Sequence, residues 1–140
     1  MFINQISVFI DTKPGNLAKI TGLLKKGKID IRAFNIGDTT EFGILRLIVR
    51  EPERGVAILR DAGFTAQLNQ VLVAVMQDKV GAFDEIVGYL AEENIDIKYL
   101  YSFIGEVEAT GRVAICTDDM KAAAEVLKNK GVQISAPDEI

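Results

Sequence analysis

The sequence predicts an α+β fold made of two consecutive βαββαβ sandwiches, and two observations carry that expectation. The first is an internal repeat, the signal to look for before any other because it sets the architecture. Sliding the chain by 66 residues lays "KIDI" at 28–31 over "NIDI" at 94–97 and aligns Gly22 with Gly88 and Leu24 with Leu90. After a two-residue insertion the offset becomes 68, and Gly43 meets Gly111, Leu59 meets Leu127 and Gly63 meets Gly131. The copies span roughly 1–68 and 69–140. The second observation is that the hydrophobic period changes in the same order of steps within each copy.

Each copy opens on a short apolar run rich in β-branched residues, "QISVFI" and "VLVAVM", the pattern of a buried central strand. Apolar residues then recur at helical spacing: Leu17, Ile20, Leu23 and Leu24 in the first copy, Phe83, Ile86, Val87 and Leu90 in the second. Two strands follow as a hairpin, "IDIRAFNI" with "GILRLIV" around "GDTTEF", and "IDIKYLYSFI" with "GRVAICT" around "GEVEAT". "ERGVAILRDAG" and "MKAAAEVLKNKG" are short helices stopped by glycine. "FTAQL" and "VQIS" supply the closing strands. With right-handed crossovers, this order gives a ferredoxin-like antiparallel sheet of spatial order 4-1-3-2 with both helices on one face. A small sheet of this kind has open edges and a bare face. The two copies are therefore expected to cover each other, with their sheets joined edge to edge.

Bulk properties narrow the function. The chain has 140 residues, 49% of them hydrophobic, which is enough to bury a core in one domain or two small ones. A net charge of −4 argues against nucleic acid or anionic lipid as partner. No apolar stretch reaches membrane-spanning length, and the opening "MFINQ" lacks a signal-peptide pattern, so a cytoplasmic protein is expected. With no histidine and one cysteine, an internal disulfide, a histidine-dependent triad and most zinc sites are excluded. No cofactor motif is present, and no metal site is expected.

The joint between first strand and first helix, "IDTKPGNLAKI", is the most informative segment. Pro14 suits the first helical position, which would leave the amides of Gly15, Asn16 and Leu17 in the first turn without intrahelical acceptors. Such an end attracts anions, and Gly15 has no side chain to obstruct a carboxylate. The same segment also reads as a well-made strand-to-helix turn that binds only water. Asp30 and Asp96 recur at the start of the second strand of each copy. Each reads either as a cap of its own turn or as an acceptor for an ammonium group. Helix amides for a carboxylate and an aspartate for an ammonium describe a zwitterion site, but within one copy they lie at opposite ends of the sheet. Pairing of the copies along their second strands would bring the loop at 11–17 near 94–99 and the loop at 77–83 near 28–35.

The strand order, "D-T-K-P-G-N-L" entering the first helix and "K-G-K-I-D-I" entering the second strand resemble the ACT domain, a regulatory module that binds amino acids. The resemblance covers nearly the whole chain. It implies a free amino acid as ligand, a homodimer, and a partner enzyme or regulator that receives the signal. It also implies ligand contacts at Asp11, Thr12, Lys13, Pro14, Gly15, Asn16 and Leu17, facing Asn94, Asp96, Ile97 and Tyr99. A second set would use Gln77, Asp78, Val80 and Gly81 with Asp30, Ile31 and Asn35. Val80 replaces Pro14 and Ala82 replaces Asn16, so the second loop lacks the Pro-Gly pair and its site is expected to be the weaker.

Other reactive-looking residues have structural readings. Cys116 sits mid-strand with no basic neighbour and reads as core filler. Asp118 and Asp119 precede a helix and read as caps rather than a metal pair. Tyr99, Tyr101 and Phe103 line one face of a strand, as a covered face or as the wall of a binding site. Two other functions compete with a sensor: a small enzyme on the same fold, which would need a positioned arginine that the first loops do not supply, and a structural pairing module without ligand.

Overall fold

The computed structural model describes residues 2–11, 13–38, 42–105 and 108–140. Thr12 and parts of both hairpin loops, 39–41 and 106–107, lie outside the described residues. The elements run β1 (Ile3–Asp11), α1 (Asn16–Lys26), β2 (Ile31–Asp38), β3 (Phe42–Val49), α2 (Pro52–Asp61), β4 (Thr65–Gln77), α3 (Ala82–Glu92), β5 (Ile97–Ser102), β6 (Thr110–Thr117), α4 (Met120–Asn129) and β7 (Gln133–Ile134). They form two compact units, Asn4–Asn69 and Gln70–Ile140, the second joined by the N-terminal residues up to Ile3.

In the first unit the strand order is β2-β3-β1-β4, with β3 antiparallel to both of its neighbours. Alternation along β1 puts Ile6, Val8 and Ile10 into one cluster with Ile20 and Leu24 of α1 and Val56 and Leu59 of α2. Burying each such aliphatic side chain stabilises the fold by about 1.5–3 kcal/mol. The intervening Gln5 and Ser7 are also buried, and they are satisfied by hydrogen bonds: Gln5 Nε2 donates to Ser7 Oγ, and Ser7 Oγ donates to Asn69 Oδ1.

The second unit repeats the plan as β7-β4-β6-β5. Leu72 and Ala74 pair with Ile115 and Val113, and all four pack with Ile86 and Leu90 of α3 and Leu127 of α4. Phe2 packs against this cluster, which accounts for the N-terminal residues grouping with it. The order 4-1-3-2 is met in each unit.

Glycine ends α2 and α4 as expected. Gly63 and Gly131 have φ of +93° and +82°, and the following amides of Phe64 and Val132 donate back to Leu59 O and Leu127 O. The closing strand of the first copy and the opening strand of the second are one element, β4, rather than two. No glycine or proline interrupts "TAQLNQVLVAVMQ", so the strand runs on through the polar pair Asn69 and Gln70. The strand expected over "VQIS" shortens to Gln133–Ile134.

Candidate functional site

Helix α1 begins at Asn16, so Pro14 is not in its first turn. Pro14 instead occupies the second position of a tight turn from Lys13 to Asn16, closed by Asn16 N–H donating to Lys13 O at 3.3 Å. Gly15, in third position, has φ 92° and ψ −17°, the type II geometry that only glycine adopts without strain. Asp11 holds the entry: its Oδ1 accepts from the Lys13 amide at 3.2 Å, and its carbonyl accepts from Asn16 Nδ2 at 3.0 Å. The Asn16 side chain thus ties the turn to β1. Among the described residues no side chain caps α1, and a Cβ on Gly15 would meet nothing within 4 Å, so the helix start opens outward.

The second unit builds the same turn without the proline. Ala82 N–H donates to Lys79 O at 3.2 Å, and Gly81 has φ 88° and ψ −7°. The glycine in third position decides the turn. Val80, in the place of Pro14, is fully exposed and contributes no packing. Asp78 N–H donates to Ala109 O at 2.9 Å, which ties the loop to the residues entering β6. Here the loop borders a cavity of about 390 Å³, walled among others by Lys79, Gly81, Phe83, Ser102, Phe103 and Arg112. That is within the size range of small-molecule sites. Lys79 Nζ lies 3.7 Å from Glu85 Oε1. Arg112 is different: its Nε is buried and has no hydrogen-bond partner among the described residues.

The geometry can be set beside known proteins. The family model of the ACT domain pair matches residues 1–140. The chain belongs to this ACT domain pair family. The ACT pair is similar in structure to a crystallised protein of Bacteroides thetaiotaomicron, at 32% identity and TM-score 0.92 over 99% of this chain and 95% of that one. It also resembles the ligand-free regulatory subunit of aspartate kinase from Thermus thermophilus, at 17% identity and TM-score 0.62 over 90% of this chain and 91% of that one. The corresponding subunit from Thermus flavus gives 17% and 0.62 over 90% of each chain. At that identity the Thermus proteins show a shared fold. No curated protein sequence matches the ACT pair.

Within each ACT unit the turn and the second-strand aspartate are far apart. Asp11 pairs with Phe42 at one end of β3, whereas Asp30 O accepts from Arg50 N–H just beyond its other end. Asp30 is a structural ion-pair residue: its Oδ2 lies 3.0 Å from Arg50 Nε and 3.7 Å from Arg32 Nη1. Asp96 is exposed, with no ion pair among the described residues, and borders a shallow cavity of about 360 Å³ with Asn94, Ile95 and Ile97. Asn94 has φ 60° in the turn entering β5. Ile31 and Ile97 pack against their cores, Asn35 pairs with Arg46 in the sheet, and Tyr99 pairs with Cys116. Leu17, Gln77 and Val80 are exposed.

Cys116 is half-buried and alternates with Ile115, the residue that enters the helix-facing cluster; it is therefore not core filler. Asp119 caps α4, accepting from Ala122 N–H at 3.0 Å, but Asp118 pairs with Lys98 instead. Among the described residues no cluster of acidic or cysteine side chains could hold a metal, and no helix is long and apolar enough to cross a membrane. Sequence reasoning missed Arg112. The signal was present: it is the only arginine in residues 69–140, and Ile44 stands at its place in the first copy.

Proposed function

We propose that this ACT pair is a non-catalytic regulatory protein that binds a free amino acid and passes the bound state to a partner enzyme or regulator. The observation that carries the reading is the outward-opening helix start at Gly15 and Gly81, uncapped in both units by any side chain among the described residues. First-turn amides have no acceptor within their own helix and sit at its positive end, so a ligand carboxylate satisfies them. In the second unit that start borders a cavity of suitable size, which makes the loop at 77–81 the stronger candidate despite its missing proline. Asp96, whose carboxylate has no ion pair among the described residues, is a candidate acceptor for an ammonium group. The Thermus relatives, named as regulatory subunits of aspartate kinase, offer a precedent for an ACT pair acting on a catalytic partner.

The test is thermal melting and calorimetry of the full chain against the twenty amino acids. A ligand at 100 times its dissociation constant adds about 2.7 kcal/mol to stability, and a clear rise in melting midpoint is expected for at least one. A folded, ligand-free protein whose midpoint is unmoved by every amino acid at millimolar concentration would overturn the reading.

A further inference from the structure

We propose that the cavity of the second unit receives an acidic amino acid, and that Arg112 determines this preference by holding the ligand's side-chain carboxylate. The inference rests on the regulatory reading above and specifies the ligand class of one of its sites. Arg112 belongs to β6 and lines the cavity of about 390 Å³, with its Nε withdrawn from water and unpaired among the described residues. A buried donor on a charged group is costly to leave without an acceptor, and a carboxylate matches the planar guanidinium fork better than a neutral oxygen does. No carboxylate of the described chain forms an ion pair with it. The other cation at the cavity, Lys79, is already beside Glu85.

The remaining groups suit the rest of such a ligand. The start of α3 at Gly81 favours the α-carboxylate. Asp78 and Asp84 also border the cavity, have no ion pair among the described residues, and are available to the ammonium. A ligand with two negative groups and one positive therefore meets a complement for each. The first unit provides a comparison within the same chain: Ile44 occupies the repeat position of Arg112, so its turn offers no equivalent cation for a second carboxylate.

Calorimetry of the full chain with L-aspartate, L-glutamate, L-asparagine and L-glutamine tests this, in the wild type and in Arg112→Gln. At least one acid should bind tenfold or more tightly than its amide. Arg112→Gln should remove that difference by weakening the acid and leaving the amide unchanged, with an unaltered melting midpoint in the absence of ligand. Equal binding of acid and amide by the wild type, or a preference that survives in Arg112→Gln, would refute the role of Arg112. Binding of a neutral amino acid while both acids fail would refute it too, yet leave the regulatory reading standing. Failure of all twenty amino acids would remove both. If Arg112→Gln does not fold, the wild-type comparison of acid with amide decides, together with Arg112→Lys, which should keep a reduced preference.

Discussion

Asp30 Oδ2 lies 3.0 Å from Arg50 Nε in the first unit, and in the second unit the charge at the repeat position of Arg50 is reversed: Asp118 stands there, and Lys98, at the repeat position of Arg32, reaches it at 2.9 Å. The reversal leaves Asp96, the counterpart of Asp30, without an ion pair among the described residues.

Neutralising the two aspartates should therefore have different consequences. Asp30→Asn removes the charge that Arg50 and Arg32 share and should lower stability by no more than about 1 kcal/mol, in keeping with the small worth of surface ion pairs. Asp96→Asn should change stability by less than about 0.5 kcal/mol. Urea denaturation of both variants gives the comparison, and a larger loss for Asp96→Asn would mean that its carboxylate holds the fold.

The pH dependence of two surface pairs follows from their geometry. The hydrogen bond that Lys98 donates to Asp118, helped by the negative charge of Asp118, raises the Lys98 pKa above its ordinary value of 10.5. A raised cation contributes its full stabilisation below 10.5 and loses it as pH climbs through the higher folded-state value. The Arg54 guanidinium, 2.8 Å from Glu51, lowers that carboxyl below 4.5 through a hydrogen bond and then its charge. Its contribution is present above 4.5 and disappears as pH falls through the lower folded-state value. Side-chain NMR titration should show both displacements, and Asp118→Asn and Arg54→Met should return Lys98 and Glu51 to their ordinary values.

The second turn should accept the proline it lacks. Val80 has no packing to lose, and the second position of a type II turn suits the fixed φ of proline. Val80→Pro should stabilise the protein by about 0.4–1 kcal/mol through the unfolded chain. Gly81→Ala should destabilise it by about 1–2 kcal/mol because of its positive φ, although a Cβ there meets nothing within 4 Å. Thermal melting of the two variants should move in opposite directions.

Asp119 and Asp118 are neighbours with separate roles. Asp119→Ala removes the acceptor for Ala122 N–H and should cost about 1 kcal/mol, whereas Asp119→Asn should restore most of that. Asp118→Ala should cost less, since its pair with Lys98 is exposed. Equal losses at the two positions in chemical denaturation would contradict this division.

Much of the architecture was readable because it depends on local rules. The apolar alternation of "QISVFI" marked β1, and the glycines at 63 and 131 marked helix ends. Reading failed where a local rule had two outcomes. Proline is favoured both in a first helical turn and in second position of a type II turn; the left-handed Gly15 selected the latter. "FTAQL" and "VLVAVM" read as two strands, yet β4 is continuous from Thr65 to Gln77, with no glycine or proline between them to end it. At the candidate site the places of the two strand-to-helix joints were legible. The ion pairing of Asp30 was not, since Arg50 lies a whole hairpin away.

The sequence by itself determined the order of strands and helices, the repetition of that order, and the places of the two joints between first strand and first helix, because periodicity and backbone sterics act over a few residues. Only the tertiary structure decided which side chains share the space beside the second turn. Antiparallel pairing of Met76 with Gly111 and Gln77 with Thr110 carries Arg112 to the end of the sheet where Gly81 opens α3. That juxtaposition is a product of strand register between distant segments, so no local preference of Arg112 or of the turn could have announced it.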